Sequence, residues 1–404
     1  MYNNYVNLFK EEEPESKPKL QKTPSSERKK KTQQRTAQPP SSVNIKNDRK
    51  KDRICLEKMK IVKSERNNWQ IIGLIGSGGF GDVYKVRNMR APNTECAMKT
   101  EMVAGERRML RLKVEVATMQ DCSKAKEKKH FVEIQDRGKV DEIFKFVVMS
   151  LVGSNLEDYR KSLDCDFTKS TAIQVARQIL EAVRDLHKVG WIHRDIKPHN
   201  FAYGLGEQES IIYIFDFGIA KRIYNKNGEV KKPRSYVKFL GTARFASRSC
   251  HRCVEQGRRD DAECWLYLVF DIFDRSKGLP WKKDPVKSQI VLKKDRFFED
   301  KTFFNEYYKK HPLKKMYQVI ADVNSLTYYD SPKYDAYRAL LKLIAKEQQI
   351  DLNKPLDWTV DRKAVKTIEK TEDSRLEGSD AEEEEDRGPF YVEKKKKIKK
   401  TNRK

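Results

Sequence analysis

At 404 residues and 38% hydrophobic content, the chain has enough apolar material for one large two-lobed domain or two ordinary ones, so it is expected to be globular with disordered additions. Charged residues make up 36%, and 85 Lys plus Arg against 60 Asp plus Glu leave a formal charge of +25, which favours anionic partners without naming one. Seven cysteines scattered along the chain exclude the dense disulfide framework of a small secreted domain and point to a reducing compartment.

The opening MYNNYVNLFKEEEPE has no apolar signal core, and no run of about eighteen apolar residues occurs anywhere. Neither secretion nor membrane spanning is expected; the reading is a monomer in the cytoplasm, the nucleus or both. Residues 1–64 are crowded with Lys, Arg, Ser, Pro and Gln and read as a disordered basic arm, because they carry too little apolar area to offset chain entropy. Residues 65–358 read as one α+β domain. Residues 359–404 read as a charged, disordered tail, with acidic Glu382 to Asp386 followed by basic Lys394 to Lys400. Nucleic acid is not an expected partner, since no recognised helix, finger or aromatic platform accompanies the basic arms.

Within the domain, WQIIGLIG and VYKVR read as two strands around a glycine turn, TECAMKTEM as a third strand with a helix after it, and IFKFVVMSL as an apolar strand. STAIQVARQILEAVRDLHKVG has apolar positions at helical spacing and stops on Gly190.

The glycine turn holds Gly76, Gly78 and Gly81 at G-x-G-x-x-G spacing, between Ile75 and Val83. A dinucleotide fingerprint needs a helix directly after the last glycine, whereas VYKVR continues as a strand. That pattern suits a hairpin lying over nucleotide phosphates, with a plain flexible hairpin as the bland alternative. Lys99 follows on an apolar strand, where a fixed cation would neutralise α- and β-phosphates. Its partner should be a glutamate on the next helix; Glu115, flanked by apolar residues in RLKVEVATM, is the first choice and Glu106 the fallback.

His193-Arg194-Asp195-Ile196-Lys197-Pro198-His199-Asn200 matches H-R-D-x-x-x-x-N in full. Asp195 is expected to orient a hydroxyl and take its proton, Lys197 to hold a transferring γ-phosphoryl, and Asn200 to ligate magnesium; His193 reads as a packed structural histidine. Asp216-Phe217-Gly218 follows the apolar run Ile211 to Phe215 and supplies a second metal ligand in Asp216. The four elements together predict a two-lobed protein kinase fold, with a small antiparallel β-rich N-lobe and a larger, mainly helical C-lobe.

From roughly Trp69 to Trp358 the chain resembles the casein kinase 1 superfamily. Gly241-Thr242-Ala243-Arg244-Phe245-Ala246-Ser247 stands where an A-P-E landmark is usual, followed by Glu255-Gln256-Gly257-Arg258-Arg259-Asp260-Asp261, Leu279-Pro280-Trp281 and Asp357-Trp358. HKVGWIHRDIKPHNFAYG and NKNGEVKKPRSYVKFLGTARFAS look most like the tau-tubulin kinase branch. The resemblance implies ATP and Mg2+ as cofactors and protein substrates of acidic, phosphorylated or cytoskeletal kind. It also implies adenine contacts at Met149 and Leu151, a buttressing role for Asp261, and an anion site at Arg244 and Lys238, against which stands an Arg244 paired internally with a carboxylate. Ala262 to Trp265 and Arg248 to Cys253 depart from the family pattern, and Cys250-x-x-Cys253 lacks the further ligands zinc needs. The competing reading is a catalytically weak kinase-like scaffold that binds partners through its basic tails.

Overall fold

The computed structural model describes residues 54–78, 81–103, 111–163 and 165–359. Most of the basic arm, the tail from residue 360, the fallback Glu106 and the turn residues Gly79 and Phe80 lie outside the described residues. All elements named below belong to one compact unit that ends at Asp357.

The N-terminal lobe is a six-stranded antiparallel sheet. Its strands are β1 (Ile61–Lys63), β2 (Asn68–Gly78), β3 (Gly81–Asn88), β4 (Ala91–Met102), β5 (Ile134–Val140) and β6 (Phe144–Ser150), in the spatial order β1-β2-β3-β4-β6-β5. Period-two alternation buries Trp69 and Ile71 from β2, Tyr84 and Val86 from β3, Cys96 and Met98 from β4, and Phe144, Phe146 and Val148 from β6. Among the described residues, the helix α1 (Leu112–Ser123) lies between β4 and β5 in chain order.

The sheet begins earlier than the sequence reading placed it. β1 and Leu56 fall in the stretch assigned to the basic arm, yet Leu56 and Val62 are buried in this core, and the Leu56 N–H donates to the Tyr84 hydroxyl at 3.1 Å. Burial of these two apolar side chains, together with the pairing of β1 on β2, orders a lysine-rich segment against the sheet face.

The C-terminal lobe is mainly helical: α2 (Leu156–Leu163), α3 (Lys169–Lys188), α4 (Arg248–His251), α5 (Arg258–Phe273), α6 (Lys287–Glu299), α7 (Lys301–Tyr307), α8 (Tyr317–Ser325) and α9 (Tyr334–Glu347). α3 starts at Thr168, whose hydroxyl accepts from the Thr171 N–H at 3.2 Å, and ends before Gly190, whose φ of +86° only glycine adopts freely. Asp357, near the end of the domain motif, accepts from the Thr168 and Thr171 hydroxyls at 2.6 and 2.7 Å and so fastens the start of α3. α5 is buried on every side, and Trp265 on it donates to the Ala176 carbonyl of α3 at 2.9 Å.

Two short antiparallel ladders sit over these helices, β7 (Trp191–Ile192) with β10 (Lys221–Arg222) and β8 (Phe201–Tyr203) with β9 (Ile212–Ile214). The loop 193–200 therefore spans β7 to β8, and Asp216 emerges two residues after β9. A β-rich N-lobe and a helical C-lobe are the architecture expected from the sequence.

Candidate active site

Sheet register places the first part of the site. Gly76 lies opposite Val83 and Gly78 opposite Gly81, while Val83 in turn lies opposite Lys99. The glycine hairpin is thus laid directly along the lysine strand. At Gly81 a side chain is impossible, because a Cβ there would sit 1.8 Å from the Thr100 carbonyl oxygen. Ile75 is exposed and Val83 half-buried; Met149 is buried on β6 opposite Ala97, with the half-buried Leu151 just beyond the strand.

The Lys99 ammonium stands 2.7 Å from the Glu115 carboxylate and 2.8 Å from that of Asp216. Residues distant in sequence thereby converge: a strand lysine, a helix glutamate and a carboxylate from the other lobe. Burial alone would lower the pKa of Lys99, but Glu115 and Asp216 outweigh it and hold the lysine above its ordinary value. Burial likewise pushes Asp216 up, and Lys99 more than offsets this, so Asp216 stays below the usual carboxylate range. Glu115, the most deeply buried of the three, is raised, because there burial exceeds the pull of Lys99.

The placement of Glu115 also involves Glu101, which carries no signal in the sequence. Its Oε1 accepts from the N–H groups of Arg111 at 2.6 Å and Leu112 at 3.1 Å, at the N-terminus of α1, where unpaired donors and the helix dipole favour a carboxylate. Nothing local in TECAMKTEM marks this role, since it depends on a helix start ten residues further on.

In the loop after β7, Arg194 has a left-handed backbone with φ of 68°, as does Asp216 with φ of 63°. Such backbone costs about 1–3 kcal/mol per residue and persists only where its surroundings over-determine it. At Arg194, Asp261 on α5 supplies that constraint: it accepts from the N–H groups of His193 at 2.7 Å and Arg194 at 2.9 Å, and from His187 Nε2 at 2.9 Å. His193 contacts the Phe215 carbonyl through Nε2 at 3.1 Å and accepts from the Asp195 N–H through Nδ1 at 3.2 Å, so its ring serves as a brace.

Asp195 Oδ2 accepts from Lys197 Nζ at 2.6 Å and from Asn200 Nδ2 at 3.2 Å. The same Asn200 amino group donates to the Asp195 carbonyl at 2.8 Å, which leaves the amide oxygen as the acceptor end of that side chain. That oxygen and the Asp216 carboxylate are hard donors of the type magnesium takes.

Gly241 and Thr242 form the facing wall. Lys197 Nζ donates to the Thr242 hydroxyl at 3.1 Å, and a Cβ at Gly241 would stand 3.2 Å from Asp195 Oδ1. The absence of a side chain there keeps the space before Asp195 open. Thr242 and Gly241 belong to a motif legible in the sequence, but their contact with the loop was not.

The two residues expected to hold a substrate anion are placed differently. Lys238 is exposed on the segment leading to Gly241. Arg244 is paired with the buried Asp271, which also takes Arg160 at 2.9 Å and has Lys282 at 4.0 Å. The internally paired alternative for Arg244 is therefore present, but in a cluster where Arg160, Arg244 and Lys282 face the two carboxylates Asp271 and Glu157: burial first, then Arg160, pushes Arg244 down to about 10, and burial followed by Arg244 pushes Lys282 to about 8. Cys250 donates to the Leu240 carbonyl at 3.1 Å, and among the described residues no group of three or more His, Cys, Asp and Glu side chains is placed to hold a metal.

Residues 69–261 match the family model of the protein kinase domain. A Caenorhabditis elegans protein with a serine/threonine-protein kinase name is 36% identical over 267 residues, which cover 65% of this chain and 78% of the relative. The C. elegans serine/threonine-protein kinase spe-6 is 32% identical over 300 residues, 73% of this chain and 76% of its own length. A third C. elegans protein, with a casein kinase I name, is 34% identical over 224 residues, 54% of this chain and 62% of the relative.

Proposed function

The chain belongs to the protein kinase family and is a serine/threonine protein kinase, and from that premise we propose the roles of its individual residues and the kind of protein it phosphorylates. The observation that carries the assignment is the Lys99 ammonium held between Glu115 and Asp216 at 2.7 and 2.8 Å.

Glu115 orients Lys99 toward the α- and β-phosphates of ATP, beneath the hairpin of Gly76, Gly78 and Gly81 with Ile75 and Val83, while Met149 and Leu151 flank the adenine. Asn200 and Asp216 would hold magnesium, which would neutralise charge on the phosphate oxygens. Asp195, its Oδ2 fixed by Lys197 and Asn200, receives the proton of a Ser or Thr hydroxyl as the hydroxyl oxygen bonds to the γ-phosphorus and the bond to the β-phosphate oxygen breaks. Lys197 stabilises the transferring group. No covalent enzyme intermediate is required.

Within the kinases, the segments Gly241 to Ser247 and Glu255 to Asp261 support membership of the casein kinase 1 superfamily, and HKVGWIHRDIKPHNFAYG supports its tau-tubulin branch. The cation excess around Arg244 supports a preference for acidic or already phosphorylated substrates, because guanidinium groups read phosphate by charge-assisted bonds. A radiolabelled-ATP assay on casein, tubulin and a basic protein, run beside Asp195→Asn, tests the activity. Transfer by the wild type and near-complete loss in the folded variant are expected, and equal turnover by the two would refute the role of Asp195. A peptide array with and without upstream acidic or phosphorylated residues tests the preference, and equal rates would remove it.

A further inference from the structure

On α6 a lysine stands in the buried stripe, with Ile290, Phe297 and Phe298 at helical spacing around it. Lys294 is fully buried, and burying an ammonium costs several kcal/mol unless partners replace its water. Among the described residues no carboxylate lies within salt-bridge distance of it. Its donors are used on backbone instead: Nζ donates to the carbonyls of Ala243 at 2.9 Å and Ala246 at 2.5 Å, and stands 3.2 Å from His251 Nε2. The rings of Tyr267 and Trp281 lie 4.7 and 5.5 Å from the ammonium and add cation–π attraction.

The two carbonyls belong to a single turn. The N–H groups of Phe245 and Ala246 both donate to the Thr242 carbonyl at 2.9 Å, so Thr242 to Ala246 move as one piece. Trp281 Nε1 donates to the Arg244 carbonyl at 2.9 Å, which leaves carbonyls 243, 244 and 246 all anchored from the same side. The same turn begins at the wall that meets the catalytic loop, through Thr242 on Lys197 and Gly241 before Asp195. A buried charge is a poor source of net stability, and a hydrophobic side chain of similar volume would commonly serve the core as well. What an apolar residue lacks is the set of donors that determines the turn's position.

We propose that Lys294 is a positioning residue for transfer to protein substrates: through the Ala243 and Ala246 carbonyls its ammonium sets Thr242 to Ala246, and so the wall against which the acceptor segment lies beside Asp195. The inference rests on the kinase reading above.

The test compares Lys294→Met with Lys294→Gln in the full chain, using casein as substrate and a fluorescent ATP analogue for nucleotide binding. Lys294→Met is expected to lower kcat/KM for casein at least tenfold while nucleotide affinity stays within about twofold. Lys294→Gln, which keeps two N–H donors, is expected to recover part of the loss. A split between the two substrates and partial rescue are what a purely structural lysine would not produce. Wild-type kcat/KM in both folded variants overturns the proposal, as does a parallel loss of casein and nucleotide constants, or failure of both variants to fold. A wild-type chain that binds nucleotide but transfers nothing to any substrate would instead count against the function itself.

Discussion

Arg194 holds its left-handed backbone with its N–H donating to Asp261 Oδ1 at 2.9 Å. The other oxygen of Asp261 takes the His193 N–H and the His187 ring, so a single carboxylate on the central helix serves three donors. Burial would raise its pKa, but the His187 bond and the further bonds and charges around it hold it below the ordinary aspartate value. Asn at this position turns one acceptor into a donor, so Asp261→Asn is expected to cost about 2–4 kcal/mol. A melting temperature several degrees lower and a kcat at least tenfold lower would be measured. A variant matching wild type in both would show that the loop does not depend on Asp261.

Gly241 combines two requirements that can be separated. Its φ is +108°, and a Cβ would meet Asp195 Oδ1 at 3.2 Å and the Arg194 carbonyl oxygen at 3.4 Å. Gly206 also has positive φ, at +60°, but no atom lies within 4 Å of its Cβ position. Each alanine substitution should cost about 1–2 kcal/mol through backbone strain. Only Gly241→Ala should also reduce kcat, by tenfold or more. Equal activity in the two variants, with equal loss of stability, would eliminate the claim that the space before Asp195 matters.

Glu115→Gln leaves Lys99 with one carboxylate neighbour in place of two. The lysine then shifts toward Asp216, 2.8 Å away, and is drawn from the phosphates it should meet. A ten- to hundredfold fall in kcat/KM for ATP is expected, with a change in stability of under about 1 kcal/mol, because the lost carboxylate is one that burial already disfavours in its charged form. Unchanged ATP kinetics would assign Glu115 a purely structural part.

Legibility of the site followed sequence distance and chemical distinctiveness. Asp195, Lys197 and Asn200 share one short loop whose spacing is itself the signal, and Asp216 follows an apolar strand that announces it. Glu115 could be picked from its flanking apolar residues, and it stands 2.7 Å from Lys99. Glu101 and Lys294 were not readable: each acts on backbone groups supplied by another segment, ten residues away for Glu101 and about fifty for Lys294. β5, with Ile134 and Val140 the only aliphatic side chains of its seven residues, has too weak an alternation to be noticed. It joins the sheet as an edge strand, where Asp136 accepts from Trp69 Nε1 at 2.7 Å and Ser64 Oγ at 2.6 Å. Polar contacts of this kind leave no period in the sequence.

Glu255 gives the pH prediction. It is buried between Lys221, 3.0 Å away, and Arg234, whose Nε and Nη2 both donate to it, at 2.5 and 3.1 Å. Burial would raise its pKa, yet the bonds from Arg234 and Lys221 prevail and bring it to about 2. An unfolded glutamate titrates near 4.3, so the folded state binds fewer protons in the interval between these values. The stabilisation is therefore fully present above about pH 5 and drains away as pH falls toward 2. Because Arg234 is largely exposed and solvent screens its charge, the contribution is on the order of 2 kcal/mol at neutral pH. Glu255→Gln removes the titrating group and with it this dependence. Melting temperatures of the two proteins should differ by several degrees at pH 7 and approach one another between pH 5 and pH 3.5. A gap that stays constant over that range would mean that Glu255 keeps its ordinary pKa in the fold and that the two cations do not hold its charge.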